Sequence, residues 1–102
     1  MSLSSQQVRA LRAEAHRLKL KPVVMIGQHG LSENVLNELE STIDHHELIK
    51  VKIPGGAKAE KNALIDSICE KLKAERIQSI GNVVVLFRKH PKSTQFLKFV
   101  KN

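Results

Sequence analysis

Residues 22–53 read PVVMIGQHGLSENVLNELESTIDHHELIKVKI, and the order of patterns in this stretch decides the fold. The apolar run at 23–26 lies between a proline and a glycine, which is typical of a strand buried on both faces. A helical pattern begins at Ser32 and continues to about residue 44 or 45, and residues 48–53 then alternate like a second strand. A strand, helix and strand in succession predict neighbouring parallel strands.

The segment before this stretch predicts an amphipathic helix. Ser4 and Gln7 have the spacing of a capping box, and Pro22 marks the limit of the helix. Two stripes with helical spacing lie about 100° apart, one apolar and one basic. The apolar stripe is Val8, Leu11, Ala15 and Leu18, and the basic stripe is Arg9, Arg12, His16 and Lys19.

The segment after it predicts a third helix and a hairpin. The helix covers about residues 58–74, and strands at 77–80 and 83–89 are joined through Gly81-Asn82, where glycine permits a type II′ turn. Phe96 and Phe99 are expected to dock a short final turn. The predicted fold class is therefore α/β (α+β), with the order αβαβαββ and a mixed four-stranded sheet covered by helices on one face.

Composition limits the functional classes. The 102 residues form one domain, and 17 Lys and Arg against 10 Asp and Glu give a net charge of +7, which favours an anionic partner. A single cysteine and the lack of a signal-like or spanning segment indicate a cytoplasmic protein without membrane contact. With no Trp, no Tyr and three Phe, the chain lacks the aromatic platforms on which many single-strand binders stack bases.

The positive charge is concentrated in two segments. Residues 1–21 carry five basic residues and one acid, and residues 48–102 carry twelve basic residues and four acids. Residues 22–47 carry five acids and neither Lys nor Arg. Because these acids belong mostly to the second predicted helix, we expect that helix to point away from an anionic ligand.

The loop Gly27-Gln28-His29-Gly30 connects the first strand to the second helix. Its glycines permit a sharp turn with positive φ, and its N–H groups, together with the helix dipole, suit a phosphate. It is neither a Walker A loop nor a GxGxxG loop, since the further residues of those motifs are missing. A GxxG pattern by itself fits an ordinary tight turn equally well, although a GxxG loop clamps the nucleic-acid backbone in KH domains.

The sequence as a whole resembles the CRM family, in particular its bacterial single-domain YhbY-like members. The resemblance rests on residues 22–53 with the GQHG loop, on HELIKVK at 46–52 as the second strand, and on IQSIGNVVVLFRK at 77–89 as the closing hairpin. It covers the chain up to about Pro91. The resemblance implies an RNA-binding domain similar in fold to the C-terminal domain of bacterial translation initiation factor three. It also implies a factor of large ribosomal subunit assembly.

Our primary hypothesis is non-catalytic binding of ribosomal RNA in precursors of the large subunit. We expect a monomer with no cofactor, no metal and no small-molecule substrate. The candidate RNA contacts are Gly27, Gln28, His29 and Gly30 in the loop and Arg9, Arg12, Lys19, Lys21, Lys50, Lys52 and Arg88 outside it.

Three other interpretations remain open. The basic surface could dock acidic ribosome-associated proteins. His29 could act as a general acid in RNA cleavage, although no paired base is identifiable. The adjacent His45 and His46 suggest a metal site only weakly, because neighbouring residues diverge and a third ligand is missing. Cys69 lies in the apolar stripe of the third helix and is expected to be inert core.

Overall fold

The computed structural model describes residues 3–100 and has the predicted order αβαβαββ, followed by one further short helix. The elements are α1 Ser5–Arg17, β1 Pro22–Met25, α2 Glu33–His46, β2 Leu48–Lys52, α3 Lys58–Leu72, β3 Glu75–Ile80, β4 Val83–Phe87 and α4 Leu97–Val100.

The sheet has four strands in the order β1-β2-β4-β3. β1 and β2 are parallel, as the sequence predicts, and β4 is antiparallel to both β2 and β3. The last strand in the chain therefore lies between β2 and β3, so the second crossover connection passes over it. The hairpin between β3 and β4 turns at Gly81, where φ is +56°, the positive value expected of a glycine there.

Helices cover both faces of the sheet, so the prediction of helices on one face is wrong. α2 and α3 pack on the face that carries Ile49, Val51 and Leu86, whereas α1 and α4 pack on the face that carries Leu48 and Phe87. Strands β2 and β4 present apolar side chains to both sides near the Leu48 end. This alternation requires a second apolar layer, which α1 and the tail supply.

β1 is an edge strand, so the prediction that it is buried on both faces is also wrong. It pairs only with β2, and its register shifts between Pro22 and Val24. Val24 is buried, but the side chains of Val23 and Met25 are 51% and 68% exposed. A continuous apolar run does not distinguish a central strand from an exposed edge.

The ends of α1 are set by local signals. The Ser4 hydroxyl accepts a hydrogen bond from the Gln7 amide at 3.1 Å, and the Gln7 side chain accepts one from the Ser4 amide at 2.8 Å, which confirms the capping box. The helix ends at Arg17, two residues before Lys19 adopts a left-handed φ of +53°. Pro22 follows as the first residue of β1.

The C-terminal tail is held by a buried carboxylate. Glu47, which follows α2 with a φ of +65°, is 2% exposed. Its side chain accepts hydrogen bonds from the His90 amide at 2.9 Å and from the Ser93 hydroxyl. Beyond this attachment, Phe96 packs edge-on against Phe87 with ring centroids 5.8 Å apart. The sequence predicts this docking of the final turn through Phe96.

Candidate nucleic-acid interface

The GQHG loop forms a tight turn that leads into α2. The Gly30 amide donates to the Gly27 carbonyl at 3.0 Å, and the Ser32 amide donates to the Gly30 carbonyl at 3.2 Å. Gly30 has a φ of +76°, so it requires the freedom of glycine, whereas Gly27 does not adopt a positive φ. The Ser32 hydroxyl then caps α2 by accepting from the Val35 amide at 3.2 Å.

The loop offers hydrogen-bond donors to solvent. Gln28 and His29 are exposed, and within residues 3–100 neither their amides nor their side chains have a hydrogen-bond partner. A β-carbon added at either glycine would meet no atom within 4 Å. This open side lets the backbone of a ligand approach the loop closely, which is the geometry that a phosphate contact requires.

Two further turns lie at the same edge of the sheet. The Ile26 amide donates to the Lys52 carbonyl at 2.8 Å, and the Ile53 amide donates to the Asn82 carbonyl at 2.7 Å, so these hydrogen bonds bring the ends of β1 and β2 together with the β3–β4 turn. Because α2 and α3 both follow strands that end here, the N-termini of both helices face this edge, and their dipoles favour an anion. Both helices also carry an acid in the first turn on this side, Glu33 in α2 and Glu60 in α3.

Lys21, Lys50 and Lys52 form a line that we call the basic track. Lys21 precedes β1, the partner of Lys50 in β1 is Pro22, and the partner of Lys52 is Met25, two residues before the loop. With a rise of about 3.3 Å per residue, the track covers about 20 Å from Lys21 to the loop. Within the described part of the chain, none of the three side chains makes an ion pair or a hydrogen bond.

The basic stripe of α1 adds further charge. Arg9, Arg12 and Lys19 are exposed and likewise form no ion pair with residues 3–100. Arg17 differs, since it binds Glu14 at 2.7 Å. The Arg17 hydrogen bond lowers the pKa of the Glu14 carboxyl, so this pair stays charged and adds little net field.

Arg88 lies apart from the other predicted contacts. Its guanidinium donates to Glu40 at 2.8 Å, to the Leu72 carbonyl at 2.9 Å and to Asp44 at 3.5 Å. It follows β4 on the side of Leu86, which faces α2 and α3, whereas Lys50 lies on the opposite face. Glu40 and Asp44 therefore neutralise Arg88, which lies outside the proposed interface.

The remaining sequence candidates stay separate from the loop. The rings of His45 and His46 contact each other edge-on, with centroids 4.7 Å apart, at the C-terminal end of α2. Among residues 3–100, no group of three or more His, Cys, Asp or Glu side chains is arranged to hold a metal ion, and no helix is long and apolar enough to cross a membrane. Cys69 is half-buried, and burial raises the pKa of its thiol to about 11.

Comparisons with known proteins agree with this architecture. A curated relative from Haemophilus influenzae, named "RNA-binding protein", is 45% identical over 87 residues, which cover 85% of this chain and 86% of the relative. A relative from Pseudomonas aeruginosa, named "Probable RNA-binding protein", is 37% identical over 95% of this chain and 91% of its own length.

A solved structure and a family model point the same way. The solution structure of a hypothetical protein from Staphylococcus aureus has a TM-score of 0.79 and 30% identity, and the match covers 92% of this chain and 96% of that one. This chain and the Staphylococcus aureus protein therefore have the same fold. The model of the CRS1/YhbY (CRM) domain matches residues 3–88, which include the loop and the basic track. This chain therefore belongs to the CRS1/YhbY (CRM) domain family.

Proposed function

We propose that this protein binds structured ribosomal RNA in precursors of the large ribosomal subunit and assists their assembly without catalysis. The observation that carries the proposal is the basic track, in which Lys21, Lys50 and Lys52 lead to the GQHG loop without an acidic partner among the described residues. The names of the relatives support RNA as the partner.

Each part of the interface has a separate role. The free amides of Gln28 and His29 donate to phosphate oxygens, and Gly30 holds the turn that exposes them. The lysines of the basic track follow the sugar–phosphate backbone as point charges. The exposed cations of α1 extend the contact to a neighbouring strand. Glu40 and Asp44 of α2 lie on the other face, where they bind Arg88, so RNA is favoured on the side of the track.

The arrangement supports binding in preference to cleavage. His29 has no carboxylate or second imidazole within hydrogen-bond reach in residues 3–100, so a general acid would lack a paired base. We expect RNA to remain intact during long incubation with the pure protein. RNA turnover that disappears with His29→Ala would favour the nuclease instead.

The loop can be tested by adding negative charge. Replacing Gln28 and His29 with Asp should weaken RNA binding at least about tenfold, because each new carboxylate faces the phosphate that the loop would hold. The matched control is Ser41→Asp with His45→Asp, which adds the same charge at exposed positions in the distal half of α2. Equal affinity of the two variants would remove the loop from the interface.

The RNA itself can be identified by crosslinking in purified large-subunit precursors, mapped at nucleotide resolution. The proposal expects crosslinks from the track and the loop to one region of ribosomal RNA. Contacts to protein alone would favour the alternative in which the basic surface docks acidic ribosome-associated proteins.

We further propose that the protein acts in the cytoplasm and as a monomer. A monomer is sufficient because one chain supplies the whole interface. Sedimentation equilibrium measures the molar mass in solution and so tests whether the protein is a monomer.

A further inference from the structure

α1 and α4 leave the end of their sheet face next to the GQHG loop uncovered. Two cross-strand rows lie from the margin of the covered part to this end, each with one residue from every strand. The first row carries Val85, which is 3% exposed, whereas the second row ends in Met25 and Ile80, which are 68% and 66% exposed. The rows are Pro22, Lys50, Val85 and Gln78, and then Met25, Lys52, Val83 and Ile80.

A cavity of about 320 Å³ lies over these rows. This volume is at the lower end of the range for small-molecule sites, about 300 to 1,000 Å³, so it fits one compact group better than an extended peptide. The walls are mostly aliphatic. The lining residues are Pro22, Lys50, Gln78, Ile80, Val83 and Val85.

The polar groups around the cavity match a nucleotide. Lys50 lines the cavity and Lys52 lies in the next row, and both ammonium groups are without an acidic partner in the described chain. The half-buried side-chain amide of Gln78 makes no hydrogen bond to residues 3–100, so its two N–H donors and its carbonyl acceptor remain available. A flat group with polar edges beside a negative charge would satisfy all of these features together.

We propose that this cavity takes one unpaired base of the bound RNA. The base lies against the aliphatic side chains of Ile80 and Val83, with the buried Val85 beneath them. The Gln78 side-chain amide bonds to its polar edge, and its phosphate contacts Lys50 and Lys52. This proposal rests on the proposed RNA binding and deepens it. Sheets that bind unpaired bases commonly use aromatic platforms, and here branched aliphatic side chains take that place. A single base is favoured over an acidic peptide because the cavity is short and adjoins the GQHG loop.

The test compares three RNA hairpins with the same stem. One carries a single bulged 2-aminopurine nucleotide, one carries an abasic site at the bulge, and one is fully paired. We expect the protein to bind the first about tenfold more tightly than the second, which is within the range for docking one base. A rise in 2-aminopurine fluorescence should accompany binding, because the base leaves its stacked neighbours for an aliphatic surface that does not quench it. Equal affinities for the bulged and abasic hairpins would overturn the inference.

A matched pair of variants locates the base. Ile80→Ser should remove most of the difference between the bulged and abasic hairpins, whereas Val23→Ser should keep it, because Val23 is 51% exposed but does not line the cavity. Both changes are at exposed positions, and urea unfolding verifies that both variants fold. A difference that survives in Ile80→Ser would place the base elsewhere.

The two proposals fail in different ways. If all three hairpins bind with equal, salt-sensitive affinity, RNA binding stands and the base site falls; if none binds, RNA binding itself fails. An Ile80→Cys variant carrying a photoreactive label distinguishes RNA from protein in subunit precursors. Cys69 reacts poorly with the label, because burial raises the pKa of its thiol to about 11. Crosslinks to protein alone would overturn the inference in favour of a protein partner.

Discussion

Replacing Lys50 and Lys52 with glutamine removes two charges from the basic track and leaves polar, uncharged side chains that are one atom shorter. Neither lysine forms an ion pair with the described residues, so the change should not disturb the fold. Each phosphate contact contributes about 0.7 to 0.9 to the slope of log affinity against log salt concentration. The slope is negative, and losing both contacts should make it shallower by about 1.4 to 1.8.

The expected loss of affinity can be calculated from this change in slope. Extrapolated to about 1 M salt the variant should bind like the natural protein, and at about 0.1 M it should bind roughly 25- to 60-fold more weakly. Fluorescence anisotropy with a labelled hairpin at several salt concentrations measures both quantities. An unchanged slope would show that the track does not contact phosphate.

The matched control for this prediction is Lys71→Gln with Lys73→Gln. These exposed lysines lie at the C-terminal end of α3, about 20 Å along the helix from the loop edge, and the net charge changes by the same amount. We expect their effect on the slope to be small. If the control lowers the slope as much as the track variant, then only the overall charge matters and the geometric argument is refuted.

Three further predictions concern other parts of the chain. Glu47→Ala should lower the free energy of unfolding by about 3 kcal/mol in urea titrations, because two hydrogen bonds to a buried carboxylate are lost; a loss below about 1 kcal/mol would contradict this role. Gly30→Ala should cost about 1 to 2 kcal/mol because φ is +76°, whereas Gly27→Ala should cost under about 0.5 kcal/mol, and equal losses would disprove the difference. Cys69 alkylation should accelerate about tenfold per pH unit from about pH 8 to 10, since its pKa of about 11 keeps the thiolate scarce, and a plateau near pH 9 would refute this.

Local patterns predicted the elements well. The capping box at Ser4, the cap at Ser32 and the positive φ at Gly81 depend on neighbouring residues, so they can be inferred from short stretches of sequence. The parallel pairing of β1 with β2 also follows from the length of the connection. These features need no information about the rest of the molecule.

Tertiary features were harder to infer. The apolar run of β1 gives no sign that it occupies an edge, because position in a sheet depends on which strands pair, not on the strand alone. The coverage of the second face could have been read from Leu48, Val85 and Phe87, whose alternation with buried neighbours marks both sides of β2 and β4 as apolar.

For the candidate site, charge alone did not distinguish the cations. Arg88 and Lys50 are equivalent by composition, but only the structure shows that Glu40 and Asp44 neutralise Arg88. The parity of positions along β4 offers a partial signal, since Arg88 falls on the same side as Leu86. The role of Glu47 had no local signal, because its hydrogen-bond partners lie more than 40 residues further along the chain.

The central place of β4 has a consequence for the synthesis of this protein. β4 is the last strand to be translated, yet it supplies the pairing partner of both β2 and β3. A nascent chain that ends before Val83 can pair only β1 with β2, and its remaining apolar side chains lack the strand that joins the two core layers. Folding of this domain must therefore wait until β4 has been made. Until then β2 lacks one pairing partner and β3 has none, and unpaired strand edges of this kind make an unfinished chain prone to aggregation.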